Sequence, residues 1–301
     1  MRSILILIFF TYSGLNAQTV SQLSPDLDVY QNVRDFCISP QGDEAYFTIQ
    51  SPNQDISQIV CVKNKDWKHP QLLAFCDGHA YLEPFLSPDG LKLLFASNRP
   101  KSDTSQQSGD YDIWYVNRKS PKDEWSAPVN VGLPVNTTED EFYPVITQNQ
   151  NLYLTKDSKT GMGKDDIYIC QWNGHTYEAP ALLSTEVNSE GYEFNAYVSP
   201  DESFIIFTRY NAKGGYGSGD LYIARKNAHG NWTAAENMGP EINSPFMEYC
   251  PYYDVNSQTL YFTSKRNSLK PKKFPDLSAY IDYISGGENG LSKIYQYNIK
   301  L

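Results

Sequence analysis

Three glutamates occupy one aligned position of an internal repeat in this chain of 301 residues. Glu141, Glu193 and Glu248 each lie three residues before a proline or alanine. If this position begins the innermost strand of each repeat, the carboxylates converge near one mouth of a central channel. Such a cluster attracts a cation, Ca²⁺ included, or a basic peptide segment. In the alternative, each carboxylate only accepts hydrogen bonds from backbone amides around its own turn. The ring is incomplete, because Val33 and Tyr81 take this position in two other copies.

A second recurring acid comes directly before the third segment of three copies, at Asp112, Asp166 and Asp220. An aspartate at the junction between a turn and a strand readily bonds nearby amides. We therefore predict a structural role for these three side chains. The cysteines and histidines show no spacing typical of metal ligands.

No catalytic constellation is visible. The four histidines fall at scattered positions of the repeat, and there is no Gly-x-Ser-x-Gly elbow. Paired carboxylates for glycosidic chemistry fit an acidic channel, but their separation does not follow from the sequence. We predict a protein that is not an enzyme, with a hydrolase or lyase acting on glycans as the alternative.

These candidate residues belong to copies of one repeat. Trp114, Tyr168 and Tyr222 are spaced 54 residues apart, and each follows an Asp-Ile or Asp-Leu pair. Around each anchor lie four short segments rich in aromatic and β-branched residues, which favours strands over helices. The fourth segment begins at an aromatic residue, followed three residues later by proline or alanine. The aromatic residues of these fourth segments are Trp67, Trp125, Tyr177 and Trp232.

The repeats predict an all-β propeller built from four-stranded antiparallel blades. Five copies are visible, and a six-bladed ring is the alternative. The fifth copy lacks its fourth strand, because the chain ends at Leu301 soon after the third. We predict that the segment Thr19–Val33 supplies the missing outer strand and closes the ring, which removes an exposed sheet edge.

One insertion interrupts the last copy. The spacing from Tyr222 to Tyr295 is 73 residues, and we interpret the excess, Leu269–Asn289, as a long loop. Long loops in compact domains are often functional. Its aromatic residues Phe274, Tyr280 and Tyr283 are candidates for contact with a partner, because aromatic anchors dominate interface energetics. Most of the other tyrosines and tryptophans fall on strand positions and are expected in the core.

The N-terminus predicts export. Residues 1–17 combine one arginine, a short apolar run and a small residue at the end, as in a secretory signal peptide. Residues 18–301 then form a single domain, periplasmic or extracellular, with no stable membrane insertion. The net charge of −10 disfavours nucleic acid as a partner. The five cysteines leave at least one unpaired. A Cys37–Cys250 disulfide at the ring closure and buried free thiols are the alternatives.

Several strings resemble the WD40-like (PD40) repeats of TolB-type propellers. They are Ser-Pro-Asp-Gly at 87–90, Ser-Pro-Asp-Glu at 199–202, Gly-Asp-Tyr-Asp-Ile-Trp at 109–114 and the stretch 135–144. The resemblance implies the propeller fold and an exported envelope protein. The chain has no room for the additional N-terminal domain of TolB itself and no peptidoglycan-binding domain.

Two functions follow as hypotheses. The first is a non-enzymatic scaffold that binds an envelope protein or peptide through loops and an acidic channel mouth. The second is a glycan-binding or carbohydrate-active propeller that uses the channel carboxylates. The two differ in geometry: paired carboxyls in an open pocket favour the second, and acids buried in hydrogen bonds to the backbone favour the first.

Overall fold

The protein is a five-bladed β-propeller in a computed structural model that describes residues 19–101 and 108–301. Each blade is a four-stranded antiparallel sheet, so the prediction of five blades is confirmed and the six-bladed alternative is wrong. In chain order the strands are β1 (Ser21–Gln22), β2 (Asn32–Ile38), β3 (Glu44–Gln50), β4 (Ser57–Lys63), β5 (Gln71–Leu72), β6 (Tyr81–Leu86), β7 (Lys92–Ser97), β8 (Asp112–Asn117), β9 (Val129–Asn130), β10 (Glu141–Ile146), β11 (Leu152–Asp157), β12 (Asp165–Cys170), β13 (Ala181–Leu182), β14 (Glu193–Val198), β15 (Phe204–Tyr210), β16 (Gly219–Arg225), β17 (Glu236–Asn237), β18 (Glu248–Asp254), β19 (Thr259–Ser264) and β20 (Lys293–Asn298).

The N-terminal strand closes the ring. Blades 1 to 4 are β2–β5, β6–β9, β10–β13 and β14–β17, and blade 5 is β18, β19, β20 and β1. Strand β1 pairs with β20 through Ser21 opposite Gln296 and Gln22 opposite Tyr295. This confirms the predicted closure, which ties the two ends of the chain together.

The two faces of the propeller differ in their connections. On one face, the first and second strands of each blade are joined by tight turns at 39–43, 87–91, 147–151, 199–203 and 255–258. In the Ser-Pro-Asp-Gly turn, Ser87 Oγ accepts the backbone N–H of Lys92 at 2.9 Å, and Gly90 has the positive φ (+73°) that glycine adopts at little cost. The opposite face carries the connections between second and third strands, at 51–56, 98–111, 158–164, 211–218 and 265–292.

The core consists of aromatic and aliphatic side chains from the inner strands of all blades. Phe47, Phe95, Phe207 and Phe262 are fully buried at one aligned position of the second strands. In these four blades the phenylalanine pairs with the third strand, for example Phe207 opposite Tyr222, and blade 3 has Leu154 at this position. Packing of this kind holds neighbouring blades together and gives a rigid frame for the channel.

The predicted long loop contains a helix, α1 (Leu277–Ser285). Asp276 caps its N-terminus, because Oδ1 accepts the backbone N–H of Ala279 at 2.8 Å. Leu277, Tyr280 and Ile281 repeat with the spacing of one helix face, so the signal for a helix was present in the sequence.

One further detail corrects the sequence interpretation, and a second decides between its two alternatives for the cysteines. The outer strands β5, β9, β13 and β17 begin directly after the proline or alanine position, and the aromatic residue lies before the strand rather than at its start. All five cysteines are free thiols, and Cys37 and Cys250 do not pair.

The predicted signal peptide, residues 1–17, lies outside the described residues. Within the described part of the chain, no helix has the length and apolar character needed to span a bilayer.

Candidate functional site at the mouth of the central channel

Each innermost strand places one residue in the channel at a β-bulge. The bulge residues are Asp35, Glu83, Tyr143, Asn195 and Cys250, which form the bulge ring. All five have positive φ, between 51° and 60°, although none is glycine. Left-handed backbone at a non-glycine residue is costly and concentrates at functional sites. Since the same conformation recurs in every blade, the blade architecture itself imposes it.

Arg34 lies across the ring and neutralises its acids. Its Nε donates to Asp35 Oδ1 at 2.6 Å and its Nη2 to Glu83 Oε1 at 2.8 Å. Cys250 Sγ also donates to Asp35 Oδ1 at 2.8 Å, and Asn195 Nδ2 to Glu83 Oε1 at 3.3 Å. The place between the two carboxylates where a cation would bind is therefore taken by the guanidinium.

Burial sets the protonation of this cluster. It raises the pKa of Glu83 to about 7; the Arg34 guanidinium opposes the rise and the nearby Asp35 carboxylate adds to it. Burial also raises the pKa of the Cys250 thiol well above its usual range, so this thiol stays protonated and unreactive. Glu83 is therefore near the midpoint of its titration at neutral pH.

The bulge ring also joins neighbouring blades. The bulge N–H of Asp35, Glu83 and Asn195 is donated to a threonine on the second strand of the preceding blade, as in Asp35 N to Thr263 Oγ1 at 3.2 Å and Asn195 N to Thr155 Oγ1 at 3.0 Å. Blade 2 has Ala96 at this position. There Glu83 Oε2 accepts the N–H of Tyr143 at 2.7 Å instead. The Glu83 carboxyl thus provides the acceptor that a threonine hydroxyl provides in other blades, which gives Glu83 a structural role.

Above the bulge ring, a cavity of about 290 Å³ opens on the face that carries the long connections. Its walls include the residue that precedes the bulge in every blade, namely Arg34, Leu82, Phe142, Phe194 and Tyr249. We call this space the mouth cavity. Its walls combine aromatic and apolar side chains with a similar share of polar ones, and its floor is the cluster around Arg34. A concave site lined by both apolar and polar side chains is a candidate for ligand binding.

Two charged side chains at the edge of the mouth cavity lack a charged or hydrogen-bonding partner among the described residues, although Lys265 Nζ lies 6.0 Å from the centroid of the Tyr249 ring. Lys265 and Asp165 line it, and neither side chain has a hydrogen bond or ion pair with another described residue. Burial, with Arg34 nearby, lowers the pKa of Lys265. Burial, with Asp157 nearby, raises the pKa of Asp165. Both charges are thus partly desolvated, and a ligand bearing one acidic and one basic group would complement them.

The three predicted glutamates begin strands β10, β14 and β18, as expected, but all three are fully buried. Glu193 Oε2 accepts the backbone N–H of Ser189 at 2.8 Å, and Oε1 accepts from Arg209 Nε at 2.8 Å. Glu141 and Glu248 repeat the arrangement with a hydroxyl residue four positions earlier and with a cation. These contacts support the structural alternative, and ligand binding by the three residues stays a prediction.

The recurring aspartates also have local partners. Asp166 Oδ2 accepts the backbone N–H groups of Met162 and Gly163 at 2.7 and 3.0 Å. Asp220 does the same for Tyr216 and Gly217. Asp112 instead accepts from a lysine and an asparagine side chain. The contacts agree with a role in fixing the turn before the third strand.

The loop aromatics form a cluster of their own. The ring of Phe274 lies 5.2 Å from those of both Tyr280 and Tyr283, and Lys272 Nζ lies 3.6 Å from the centroid of Tyr283. Tyr280 is 43% exposed, whereas Phe274 and Tyr283 are half-buried. The cluster lies on the same face as the mouth cavity, because α1 falls within the connection 265–292.

Sequence reasoning missed the bulge ring and the mouth cavity. The bulge residue lies two positions after the aligned glutamate, so its place was available, but five different residue types occupy it. A repeat position can be recognised in the sequence when its residue type is constant. Here the five positions share only a backbone conformation. Among the described residues, no group of three or more histidines, cysteines or acids is arranged to hold a metal ion.

Comparisons with known proteins bear on the fold. No protein-family model matches the chain, and no curated protein sequence matches it significantly. Among solved structures, a putative TolB from Agrobacterium tumefaciens aligns with a TM-score of 0.51 at 12% identity, over 94% of this chain and 99% of that one.

Carbohydrate-active propellers align equally well. An α-L-arabinofuranosidase from Podospora anserina, solved with cellotriose, has a TM-score of 0.54 at 12% identity, over 93% of this chain and 94% of that one. A glycoside hydrolase has a TM-score of 0.57 at 7% identity, over 94% and 91%. At these identities the likeness shows the propeller fold alone, which hosts many functions.

Proposed function

We propose that this protein is an exported, non-catalytic propeller that binds a segment of a cell-envelope protein or peptide in the mouth cavity. The observation that carries the proposal is the ion-paired floor. Asp35 and Glu83 both bind the Arg34 guanidinium, and both also accept backbone N–H groups of the next blade. Carboxyls held in this way are poor candidates for acid and base catalysis, since each already has a partner.

The walls and the edge of the cavity support a peptide ligand. Phe142, Phe194 and Tyr249 offer aromatic surface for an apolar side chain. Lys265 and Asp165 offer one positive and one negative group to a chain that carries both charges. The cavity of about 290 Å³ has room for one or two side chains of such a segment.

Selection from a phage-displayed peptide library on the purified protein tests the proposal. We expect enrichment of peptides that combine an aromatic or aliphatic residue with charged residues. Phe194→Ala should weaken their binding at least tenfold, as for a buried aromatic anchor. Tyr115→Ala is the matched control, because Tyr115 is a partly exposed aromatic residue outside the mouth cavity. An equal loss in both variants, or no enrichment, contradicts the proposal.

A glycan-directed activity is the second candidate, and one observation favours it. A carboxyl whose pKa lies near 7, as burial gives Glu83, has the protonation required of a general acid in glycoside hydrolysis. Release of sugar from aryl glycosides or arabinoxylan by the wild type, abolished in a folded Glu83→Gln variant, would establish this function and exclude the binding proposal.

A further inference from the structure

The arm of blade 5, residues 265–292, carries a helix whose apolar side faces solvent. Leu277, Tyr280 and Ile281 on α1 are 72%, 43% and 46% exposed, and no residue of the helix is buried. A surface helix of a globular domain normally turns its apolar stripe toward the core. Here the stripe at positions i, i+3 and i+4 is exposed, and only the ring of Tyr280 also contacts another ring of the arm, that of Phe274. Such a stripe matches the anchors of a helix that binds in a groove.

The arm holds this helix in a fixed position. At its base, Ser268 N donates to Glu288 O at 2.9 Å and Gly290 N to Arg266 O at 2.9 Å. Within it, the hydroxyl of Tyr283 accepts from Lys270 N at 2.8 Å and donates to Lys270 O at 3.2 Å. A helix that is already formed and positioned loses little conformational entropy on binding.

The charge around the helix identifies the chemistry of its partner. Lys270, Lys272 and Lys273 precede α1, and no acid occurs between 265 and 275 in a chain with a net charge of −10. None of the three lysines forms an ion pair with another described residue. The segment 265–275 is therefore a local basic patch at the N-terminal end of the stripe, whereas Asp276, Asp282 and Glu288 lie in the rest of the arm. The surface complementary to the stripe and this basic segment is apolar, with acidic residues along the edge that meets the lysines.

We propose that α1 docks into an apolar groove, edged by carboxylates, on a second protein of the cell envelope. The helix would insert Leu277, Tyr280 and Ile281, and the lysines would pair with the acidic edge. Helix α1 and its three lysines do not line the mouth cavity, although the arm begins at Lys265 on its edge. The proposal rests on the proposed function only for the assignment to the cell envelope.

Site-specific photo-crosslinking of the full chain in its native host tests the proposal. A photoreactive benzoylphenylalanine replaces Ile281, and in the control it replaces Ile56, which is 61% exposed in a connection on the same face. We expect one protein to crosslink at 281 and not at 56, with the linked peptide mapping to an apolar groove that has acidic residues at its edge. Leu277→Ser should reduce the crosslink at least fivefold without lowering the melting temperature, because Leu277 makes no buried contacts.

Two further variants separate the outcomes. Reversing the three lysines to glutamate should reduce the crosslink to a similar extent, whereas Phe194→Ala in the mouth cavity should leave it unchanged. The proposal is overturned if position 281 captures nothing or the same proteins as position 56, or if charge reversal has no effect. Flotation with vesicles of three parts phosphatidylethanolamine to one part phosphatidylglycerol that is lost in Leu277→Ser would also overturn it, because the partner would then be a membrane.

Discussion

The protonation of Glu83 predicts how stability depends on pH. Its pKa is raised from 4.5 to about 7 on folding, chiefly by burial. Between these values the folded protein keeps a proton that the unfolded chain has released. Stability falls with rising pH wherever the folded state binds more protons. The free energy of unfolding should therefore decrease from about pH 4.5 to about pH 7, by on the order of 3 kcal/mol at about 1.4 kcal/mol per pH unit.

The variant Glu83→Gln isolates this effect, because glutamine has the shape of the protonated side chain. Urea unfolding of both proteins, followed by tryptophan fluorescence from pH 5 to pH 8, measures it. Both oxygens of Glu83 accept hydrogen bonds, so the NH2 group of glutamine adds a cost of about 1–3 kcal/mol that does not depend on pH. Between pH 5 and pH 8 the variant should gain on the order of 2–3 kcal/mol of stability relative to the wild type. A difference that does not change between pH 5 and pH 8 would contradict the raised pKa of Glu83.

Glu202→Gln is the matched control with the opposite sign. Glu202 is also buried, but hydrogen bonds and the ion pair with Lys226 outweigh burial and lower its pKa. Its carboxylate contributes stability above the pKa of the unfolded chain, and that contribution is lost as the pH falls. The difference between wild type and this variant should therefore shrink toward low pH.

Three further predictions concern stability. Thr263→Val should lower the free energy of unfolding by about 1–3 kcal/mol, because it leaves the buried N–H of Asp35 without an acceptor. Thr208→Val should lower it much less, because the hydroxyl of Thr208 has no partner. Urea unfolding compares the two variants. Glu193→Ala should lower the free energy of unfolding by about 3–5 kcal/mol in the same assay, because it leaves the charge of Arg209 uncompensated. Deletion of residues 19–23 removes β1 and exposes the edge of β20, so the melting temperature should fall and light scattering should detect association.

The sequence was sufficient to predict the architecture, because the same residue types recur at the same positions of each repeat. Aromatic residues such as Trp114, Tyr168 and Tyr222 recur where the third strand packs in the core, and turn residues recur between strands. Five blades and closure by the N-terminal strand followed from that pattern alone.

The candidate site was less accessible from sequence. Glu83 and Asn195 occupy equivalent bulges with no chemical similarity, and a positive φ at a non-glycine residue is set by tertiary pairing. Arg34 meets Glu83 across 49 positions of the chain, a contact that only the closed ring creates. Conversely, the aligned glutamates stood out because they share one type, and the structure gives each of them partners within its own turn.

The most direct test of binding at the mouth cavity is a crosslinking map with a peptide enriched from the library. A photoreactive benzoylphenylalanine is placed at position 194, within the cavity, or at position 115, outside it. Binding in the mouth cavity predicts that the peptide crosslinks at 194 and not at 115, and that an excess of unlabelled peptide suppresses the product. Crosslinking at 115 alone, or equally at both positions, would contradict binding in the mouth cavity.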